Sequence, residues 1–322
     1  MIRSSVAGYT RYRPRLSPSF VVFALLALTT LLPACTGPRT GGSAPPKASP
    51  TPEVTPSPLP ILTPAMPTAS QAASTPECSE TAGQVRKLEF TDPVMTAFRI
   101  PLNVYLPPCY EFSLERFPVV YLLHGYPQDE GHWLALGLQE LLDGRISQGV
   151  WPGLIAVMPL QPEPYFTHTD GGPGSLEQVI VEGLVPYVDS VFRTRTESGA
   201  RALVGISRGG VWALEIGLRH PQLFDTIAAL SPALSVNHPR PAYNPGQIVR
   251  RAQELPIRIW ISVGDAEPSF QVGIDRLVEI LDHEHVNHTY LHASGRHEDA
   301  AWELLLEPLF DYLVAPWTDS GT

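Results

Sequence analysis

The segment Gly205-Ile206-Ser207-Arg208-Gly209-Gly210 joins a short apolar run to a stretch with the pattern of a helix. The apolar run covers residues 202–204, and the helical pattern covers residues 211–218. A sharp turn between a strand and a helix lifts a serine hydroxyl clear of the backbone, and the first N–H groups of the helix point to the same place. Glycines flank the serine because a side chain there would collide with the neighbouring strand and helix. The segment therefore predicts a strand, a turn and a helix that present Ser207 as a nucleophile.

Strand-like and helix-like segments alternate on both sides of this turn. Near-continuous apolar runs are typical of strands buried on both faces, and we predict them at residues 117–123, 153–158, 226–230 and 257–263, with a last strand at 288–292. Helical spacing predicts helices at residues 138–146, 175–192 (with Ser175 as N-cap), 270–281 and 298–313. Residues 84–90 and 98–106 alternate polar and apolar side chains, as early antiparallel strands do. Together these segments predict an α/β fold with a mostly parallel central sheet and helices on both faces. We expect residues 237–254, an insertion between two strands, to overhang the site.

The first 35 residues have the pattern of a bacterial lipoprotein signal peptide. Four arginines precede an apolar stretch, residues 20–32, which is too short for a comfortable membrane span and ends in Leu32-Pro33-Ala34-Cys35. This pattern predicts cleavage before Cys35 and attachment of lipid to that cysteine. An ordinary secretory signal is the main alternative, and a retained N-terminal anchor is another. All three interpretations predict that the domain is exported. Lipidation of Cys35 would place it at the membrane surface.

Residues 36–77 are rich in proline, threonine and serine, which predicts a disordered linker between the anchor and a folded domain at residues 78–316, followed by a short tail at 317–322. Cys78 and Cys109 remain as an even pair in an exported chain, so we predict a disulfide between them. Two unpaired buried thiols are the alternative. The net charge of −10 argues against a nucleic acid partner.

A serine nucleophile needs a base and an acid, which we expect after Ser207 in loops that follow strand ends. Of the nine carboxylates between Ser207 and His297, Asp265 directly follows a buried strand and is predicted to be the acid, with Glu267 as the second choice. His297 lies in the loop between the last strand and the last helix, so we predict it to be the base. The backbone N–H groups of Arg208 and Tyr126 are the predicted oxyanion donors, since Pro127 has no N–H group.

The other histidines offer weaker alternatives. His283, His285 and His288 have a metal-like spacing across a helix-to-strand turn, and we expect no metal there. His220 precedes a proline at a helix end and is predicted to cap that helix. His124 is expected to be structural.

Four segments of the chain resemble the esterase D family of α/β-hydrolases. They are Leu122-Leu123-His124-Gly125-Tyr126, Leu184-Val185-Pro186-Tyr187-Val188, the serine segment quoted above, and Gly295-Arg296-His297 followed by Trp302. The resemblance covers residues 98–313 and implies hydrolysis of carboxylic esters through an acyl-enzyme, with Ser207, Asp265 and His297 as the triad. Arg208 departs from the methionine that is commonest in the family after the serine.

The sequence therefore predicts an exported serine esterase that needs no cofactor and acts on small-molecule or glycan-linked esters. An acyltransferase that uses the same triad is the nearest alternative. A catalytically silent surface-binding protein with the same fold is a further one.

Overall fold

A single mixed sheet organises residues 78–92, 99–163, 165 and 168–318, which the computed structural model describes. Within these residues the strands lie in the order β1-β2-β4-β3-β5-β6-β7-β8. The pairs β1/β2 and β2/β4 are antiparallel, and the remaining pairs are parallel. The predicted signal peptide, the linker and Cys35 lie outside the described residues.

The strands and helices have the following bounds. The strands are β1 Gln84–Thr91, β2 Arg99–Leu106, β3 Val119–Leu123, β4 Ile155–Pro159, β5 Arg201–Ile206, β6 Thr226–Leu230, β7 Arg258–Gly264 and β8 His288–Ala293. The helices are α1 His132–Ala135, α2 Leu138–Ser147, α3 Leu176–Gln178, α4 Val185–Val191, α5 Arg208–Arg219, α6 Pro245–Arg251, α7 Pro268–His283 and α8 Asp299–Thr318. A π-helical stretch, Val179–Leu184, joins α3 to α4, and 3₁₀ turns lie at Tyr110–Phe112 and Ser198–Ala200.

The predicted α/β architecture is confirmed, and so is the Ser175 N-cap, whose side chain accepts a hydrogen bond from the Gln178 N–H. Two helices were not predicted. The first, α1, is only one turn long, which gives too few residues for a periodic pattern. The second, α6, lies inside the segment 237–254 and starts at the cap Asn244.

Apolar side chains fill both faces of the sheet. Helices α3 to α7 cover one face, where Trp212 and Phe224 are fully buried. Helices α1, α2 and α8 cover the other face, where Trp133 and Phe310 are fully buried. Strands β3 to β7 are therefore buried on both sides, which explains their continuous apolar runs, whereas β8 at the sheet edge is partly exposed.

Both ends of the described chain are linked to the rest of the domain by specific contacts. Cys78 and Cys109 form a disulfide with a Cα–Cα distance of 5.8 Å. At the other end α8 continues to Thr318, and the buried Trp317 donates its indole N–H to the Gly199 carbonyl. None of the helices within the described residues has the length and hydropathy required to cross a membrane.

Candidate active site

Ser207 occupies the sharp turn between β5 and α5. Its φ of 55° lies in the left-handed region, a conformation that costs a non-glycine residue roughly 1–3 kcal/mol. Three backbone hydrogen bonds hold the turn: the Ser207 N–H donates to Leu230 O, and the Ser207 carbonyl accepts from Val211 and Ala233. The surrounding structure therefore fixes the strained serine at the carboxyl end of the parallel strands.

Two glycines of the turn are required by close backbone contacts. A Cβ atom on Gly205 would lie 2.1 Å from the carbonyl carbon of Gly209. A Cβ atom on Gly209 would lie 2.5 Å from the carbonyl oxygens of Leu123 and His124. These contacts bring the start of α5 against both β5 and the end of β3.

His297 brings an imidazole to the serine hydroxyl. Its Nε2 atom lies 2.9 Å from Ser207 Oγ. The ring stacks on Phe270 with centroids 4.0 Å apart and meets the edge of Trp302 at 5.0 Å. These two aromatic contacts fix the plane of the imidazole, so its two nitrogens point to defined partners.

Glu267 is the carboxylate at the other nitrogen of His297. Its Oε2 atom lies 3.2 Å from Nδ1, and its side chain is only 1% exposed. The second oxygen, Oε1, accepts a hydrogen bond of 3.0 Å from the hydroxyl of Ser231. Ser231 in turn accepts a long hydrogen bond from the Trp302 indole. Because a carboxylate only accepts, Nδ1 carries the proton and Nε2 faces Ser207 with its lone pair.

Asp265, the acid chosen from the sequence, does not reach His297 in the structure. Its backbone N–H donates to Ala293 O, which continues the ladder of β7 and β8 one residue beyond β7. Its exposed side chain accepts the N–H of Gly295 instead. The chain then turns, with the Glu267 N–H bonded to Gly264 O, and this turn brings the second-choice carboxylate back to the imidazole. In the structure the carboxylate beside His297 is therefore that of Glu267, the second choice from the sequence, and not that of Asp265.

Gly264 makes room for this arrangement. A Cβ atom there would lie 2.8 Å from the Glu267 carboxylate and 2.5 Å from the carbonyl oxygen of Gly295. The glycine before Asp265, together with the helix start at Pro268, is the sequence signal that could have directed attention to Glu267. The parts played by Ser231 and Phe270 had no signal in the sequence, because both depend on contacts between distant segments.

The loop after β3, residues 124–128, lies against the serine. A Cβ atom on Gly125 would be 3.3 Å from Ser207 Cβ. His124 anchors the loop: its Nδ1 donates to Gly125 O at 2.7 Å, and its Nε2 accepts the N–H of Gln161 at 2.9 Å. Burial lowers the pKa of His124 to about 4, with the bond to Gly125 opposing that shift, so the ring is a neutral structural group at neutral pH.

A second histidine–carboxylate pair connects the start of α1 to the start of α8. His132 Nε2 lies 3.0 Å from Asp299 Oδ1, and the imidazole of His132 is buried. The edge of its ring meets Trp302, which also contacts His297. An open cavity of about 520 Å³ lies beside this pair, lined by Tyr126, Pro127, Gln128, His297, Glu298, Asp299, Ala300 and Trp302.

The side chain of Arg208 extends to the loop after β6. Its Nη1 donates to Asn237 Oδ1 at 2.6 Å, and the amide of Asn237 donates to Ala233 O at 2.8 Å. The segment 237–254 therefore borders the serine turn at its first residue. Further along it belongs to the helical layer, since Val249 of α6 is buried in the core.

A buried acid pair lies where α5 meets the loop before α3. Burial opposes ionisation of Glu177, but hydrogen bonds from His220, Arg219 and the Gly172 N–H outweigh it and lower its pKa to about 2. Burial, with the nearby Glu177 charge, raises the pKa of Glu215 to about 9. Glu177 is therefore ionised and Glu215 protonated at neutral pH. His220 caps the C-terminus of α5, as the sequence predicts.

The histidines with metal-like spacing do not converge in the described part of the chain. His283 contacts Glu284, and His288 contacts the carbonyl of Val286. The three-ligand cluster found among the described residues is instead Cys78, Glu80 and Cys109, whose two sulfurs form the disulfide.

The sheet topology and the serine turn define the class of this protein as an α/β-hydrolase fold, with Ser207 after β5, Glu267 after β7 and His297 after β8. The family model described as "Putative esterase" matches residues 95–310. The chain belongs to that family.

Similar proteins include curated esterases. The chain is 30% identical over 221 residues to an endo-1,4-beta-xylanase/feruloyl esterase of Xylanibacter ruminicola, a match that covers 64% of this chain and 28% of that protein. The chain thus spans about a quarter of the length of the curated relatives it matches.

Solved structures share the fold. A ferulic acid esterase superposes with a TM-score of 0.66 at 20% identity, covering 73% of this chain and 99% of that one. An S-formylglutathione hydrolase of Staphylococcus aureus superposes with a TM-score of 0.63 at 17% identity, covering 72% and 99%.

Proposed function

We propose that this chain hydrolyses carboxylic esters through an acyl-enzyme on Ser207. The observation that carries the proposal is the continuous hydrogen-bonded path from the Ser207 hydroxyl through His297 to the buried Glu267. A serine hydroxyl becomes an effective nucleophile when a base accepts its proton in the transition state. A buried carboxylate on the far nitrogen stabilises the imidazolium that results.

Each step then has a residue assigned to it. His297 Nε2 takes the proton of Ser207 as Oγ attacks the ester carbonyl. The same imidazole returns that proton to the leaving alcohol, and water repeats the sequence to release the acid. Glu267 is the acid of the triad in place of Asp265.

The oxyanion of the tetrahedral intermediate is assigned to two backbone donors. Arg208 is the first residue of α5, where N–H groups have no intrahelical partner. The N–H of Tyr126 follows Gly125, whose close contact with Ser207 puts this loop beside the reacting carbon. Loss of one such donor typically costs about 10²–10³ in rate.

Ester hydrolysis is tested by turnover of p-nitrophenyl acetate and by labelling with a fluorophosphonate probe. We expect both in the wild type and neither in Ser207→Ala. The matched control is Ser235→Ala, which removes a hydroxyl bonded to Gly273 on α7 and lies outside the triad. Labelling of Ser207→Ala, or the absence of turnover in a folded wild type, would contradict the proposal. Transfer to a sugar acceptor in excess of hydrolysis would point to an acyltransferase.

The substrate is proposed to be an ester of an aromatic or short acyl group on a glycan. The support is the relative named endo-1,4-beta-xylanase/feruloyl esterase, since feruloyl esters carry an aromatic acyl group. A panel of acetyl, longer acyl and feruloyl esters distinguishes these groups. A preference for simple alkyl esters over feruloyl esters by tenfold or more would count against an aromatic acyl group.

We further propose that the domain is exported and held at a membrane by lipid on Cys35. The disulfide between Cys78 and Cys109 supports export, since such bonds persist in oxidising compartments. Mass spectrometry of the mature N-terminus tests the anchor: a diacylglyceryl mass on Cys35 is expected, and an unmodified cysteine or cleavage elsewhere would contradict it.

A further inference from the structure

Arg208 is a half-buried cation whose hydrogen-bond partner, the Asn237 amide, is neutral. Its Nη1 bonds to the amide oxygen of Asn237, and within the described residues it has no carboxylate within 4.0 Å. Several other arginines of the chain pair with acids, among them Arg201 with Asp189 and Arg219 with Glu177. A guanidinium has five N–H donors in a fixed fork, so Arg208 keeps donors for another acceptor.

The guanidinium is tied to the surroundings of the nucleophile by a closed ring of hydrogen bonds. Ser207 O accepts from Ala233 N at 3.0 Å, Ala233 O accepts from the Asn237 amide, and Asn237 Oδ1 accepts from Arg208. Since Arg208 follows Ser207 in the chain, the ring encloses only the serine turn and the loop after β6. The positive charge is therefore held at Asn237, in the loop that bonds to the Ser207 carbonyl.

A cleft meets this ring at Asn237. It has a volume of about 640 Å³ and is bounded by residues 234–238, the start of α6 and one face of α7. Asn237 lines the cleft and accepts from Arg208, so the guanidinium adjoins the end of the cleft at Asn237. Asp275 and Glu279 line the α7 side, so a bound anion belongs at the Arg208 end. The chain as a whole carries a charge of −10, so attraction of an anion must come from such a local cation.

We propose that Arg208 selects esters that carry a carboxylate close to the scissile bond, by binding that carboxylate through its guanidinium. Arginine is suited to this role because its planar fork matches the geometry of a carboxylate. The inference rests on the proposed function, since it assumes that Ser207 attacks the ester. The carboxylate can belong to the acyl half, as in a dicarboxylic acid half-ester, or to the alcohol half, as in an ester of an acidic sugar.

The test compares matched anionic and neutral esters on the full chain. For the acyl half the pair is mono-p-nitrophenyl glutarate and p-nitrophenyl butyrate. For the alcohol half it is 4-carboxyphenyl butyrate and 4-carbamoylphenyl butyrate. The measured quantity is the ratio of kcat/KM for the anionic ester to that for the neutral ester, with intrinsic reactivity corrected by the alkaline hydrolysis rates.

We expect this ratio to fall about tenfold or more in Arg208→Met for one of the two pairs, the size of effect typical of a lost charge-assisted hydrogen bond. Arg208→Lys should keep part of the preference. Arg250→Met is the matched control, since it removes an exposed arginine of α6 that does not line the cleft and should leave the ratio within twofold. An unchanged ratio for both pairs in Arg208→Met, or an equal fall in Arg250→Met, would overturn the inference.

Wild-type protein alone gives a second readout if Arg208→Met does not fold. Free glutarate should slow fluorophosphonate labelling of Ser207, whereas glutaramide should not, and added salt should weaken the protection. Equal effects of the two compounds would overturn the inference. Failure of the proposed function would look different, because neither ester would be hydrolysed and Ser207 would not be labelled.

Discussion

Replacing Glu267 by glutamine separates the charge of the acid from its shape. The glutamine oxygen can still accept the proton of His297 Nδ1, and its amide can still contact Ser231, so the packing of the side chain is kept. What is lost is the attraction between a buried carboxylate and the imidazolium formed in the transition state.

The magnitude follows from the geometry at His297. The Glu267 oxygen lies 3.2 Å from Nδ1 and its side chain is almost fully buried. Two unit charges about 4 Å apart at an effective dielectric of about 20 attract by about 4 kcal/mol. Since about 1.4 kcal/mol corresponds to a factor of ten in rate, E267Q should lower kcat/KM by about 10³.

The control is Asp265→Asn, the other carboxylate of the same turn. Its side chain is exposed and accepts one hydrogen bond from Gly295, which the asparagine oxygen can also accept. We expect D265N to stay within about fivefold of wild type, the outcome for a surface group remote from the reacting atoms.

The assay is steady-state hydrolysis of p-nitrophenyl acetate, with thermal unfolding to establish that both variants are folded. Comparable losses in E267Q and D265N, or less than a tenfold loss in folded E267Q, would refute the assignment of Glu267 as the acid. A large loss in D265N alone would restore the choice made from the sequence.

Three further predictions address the surroundings of the site. Gly125→Ala places a Cβ atom 3.3 Å from Ser207 Cβ, so we expect kcat to fall at least tenfold by misplacing the loop, and a wild-type kcat would argue against its role. Glu215→Gln tests the raised pKa of Glu215, which is about 9 in the folded protein and near 4.5 in the unfolded chain. Between pH 4.5 and pH 9 the folded wild type keeps a proton that the unfolded chain has released. The free energy of unfolding of the wild type, relative to that of the variant, should therefore fall by up to about 1.4 kcal/mol per pH unit over this range. Urea unfolding of both proteins at pH 5, 7 and 9 measures this, and a constant difference would contradict the buried acid. Asp299→Ala breaks the contact with His132, and we expect kcat to fall about fivefold or more. Asp299→Glu should recover part of that loss. Equal losses of kcat in both variants would indicate simple damage to the fold.

The parts of the fold set by local pattern could be predicted from the sequence. The strand, turn and helix around Ser207 could be recognised from a pattern that lies within ten residues of the serine, and the buried strands from continuous apolar runs. The helix predicted at residues 175–192 has the right extent but contains a π-helical stretch, Val179–Leu184, which changes the backbone hydrogen bonds without changing the apolar pattern. Hydropathy alone therefore could not reveal it.

The acid of the site shows where the local pattern fails. Asp265 is the first carboxylate after β7, so counting residues from the strand end favours it. The ladder between β7 and β8 continues through the Asp265 N–H, and the following turn selects the residue two positions later. That turn depends on the contact between Gly264 and Gly295, which come from different loops. A single sequence carries no direct record of such a contact.

The strained turn at Ser207 depends on the whole parallel half of the sheet. The Ser207 N–H donates to the last carbonyl of β6, the Ser231 N–H donates to a carbonyl of β7, and the Asp265 N–H donates to the last carbonyl of β8. Ser207 and Ser231 both have positive φ, and each directly follows a strand. The neighbouring strand therefore holds each serine in its strained backbone conformation. Because β8 leads directly to His297, Ser207 and His297 are positioned by one continuous set of ladder bonds. Loosening β8 at the sheet edge should therefore disturb the contact between Ser207 and His297 before it unfolds the core.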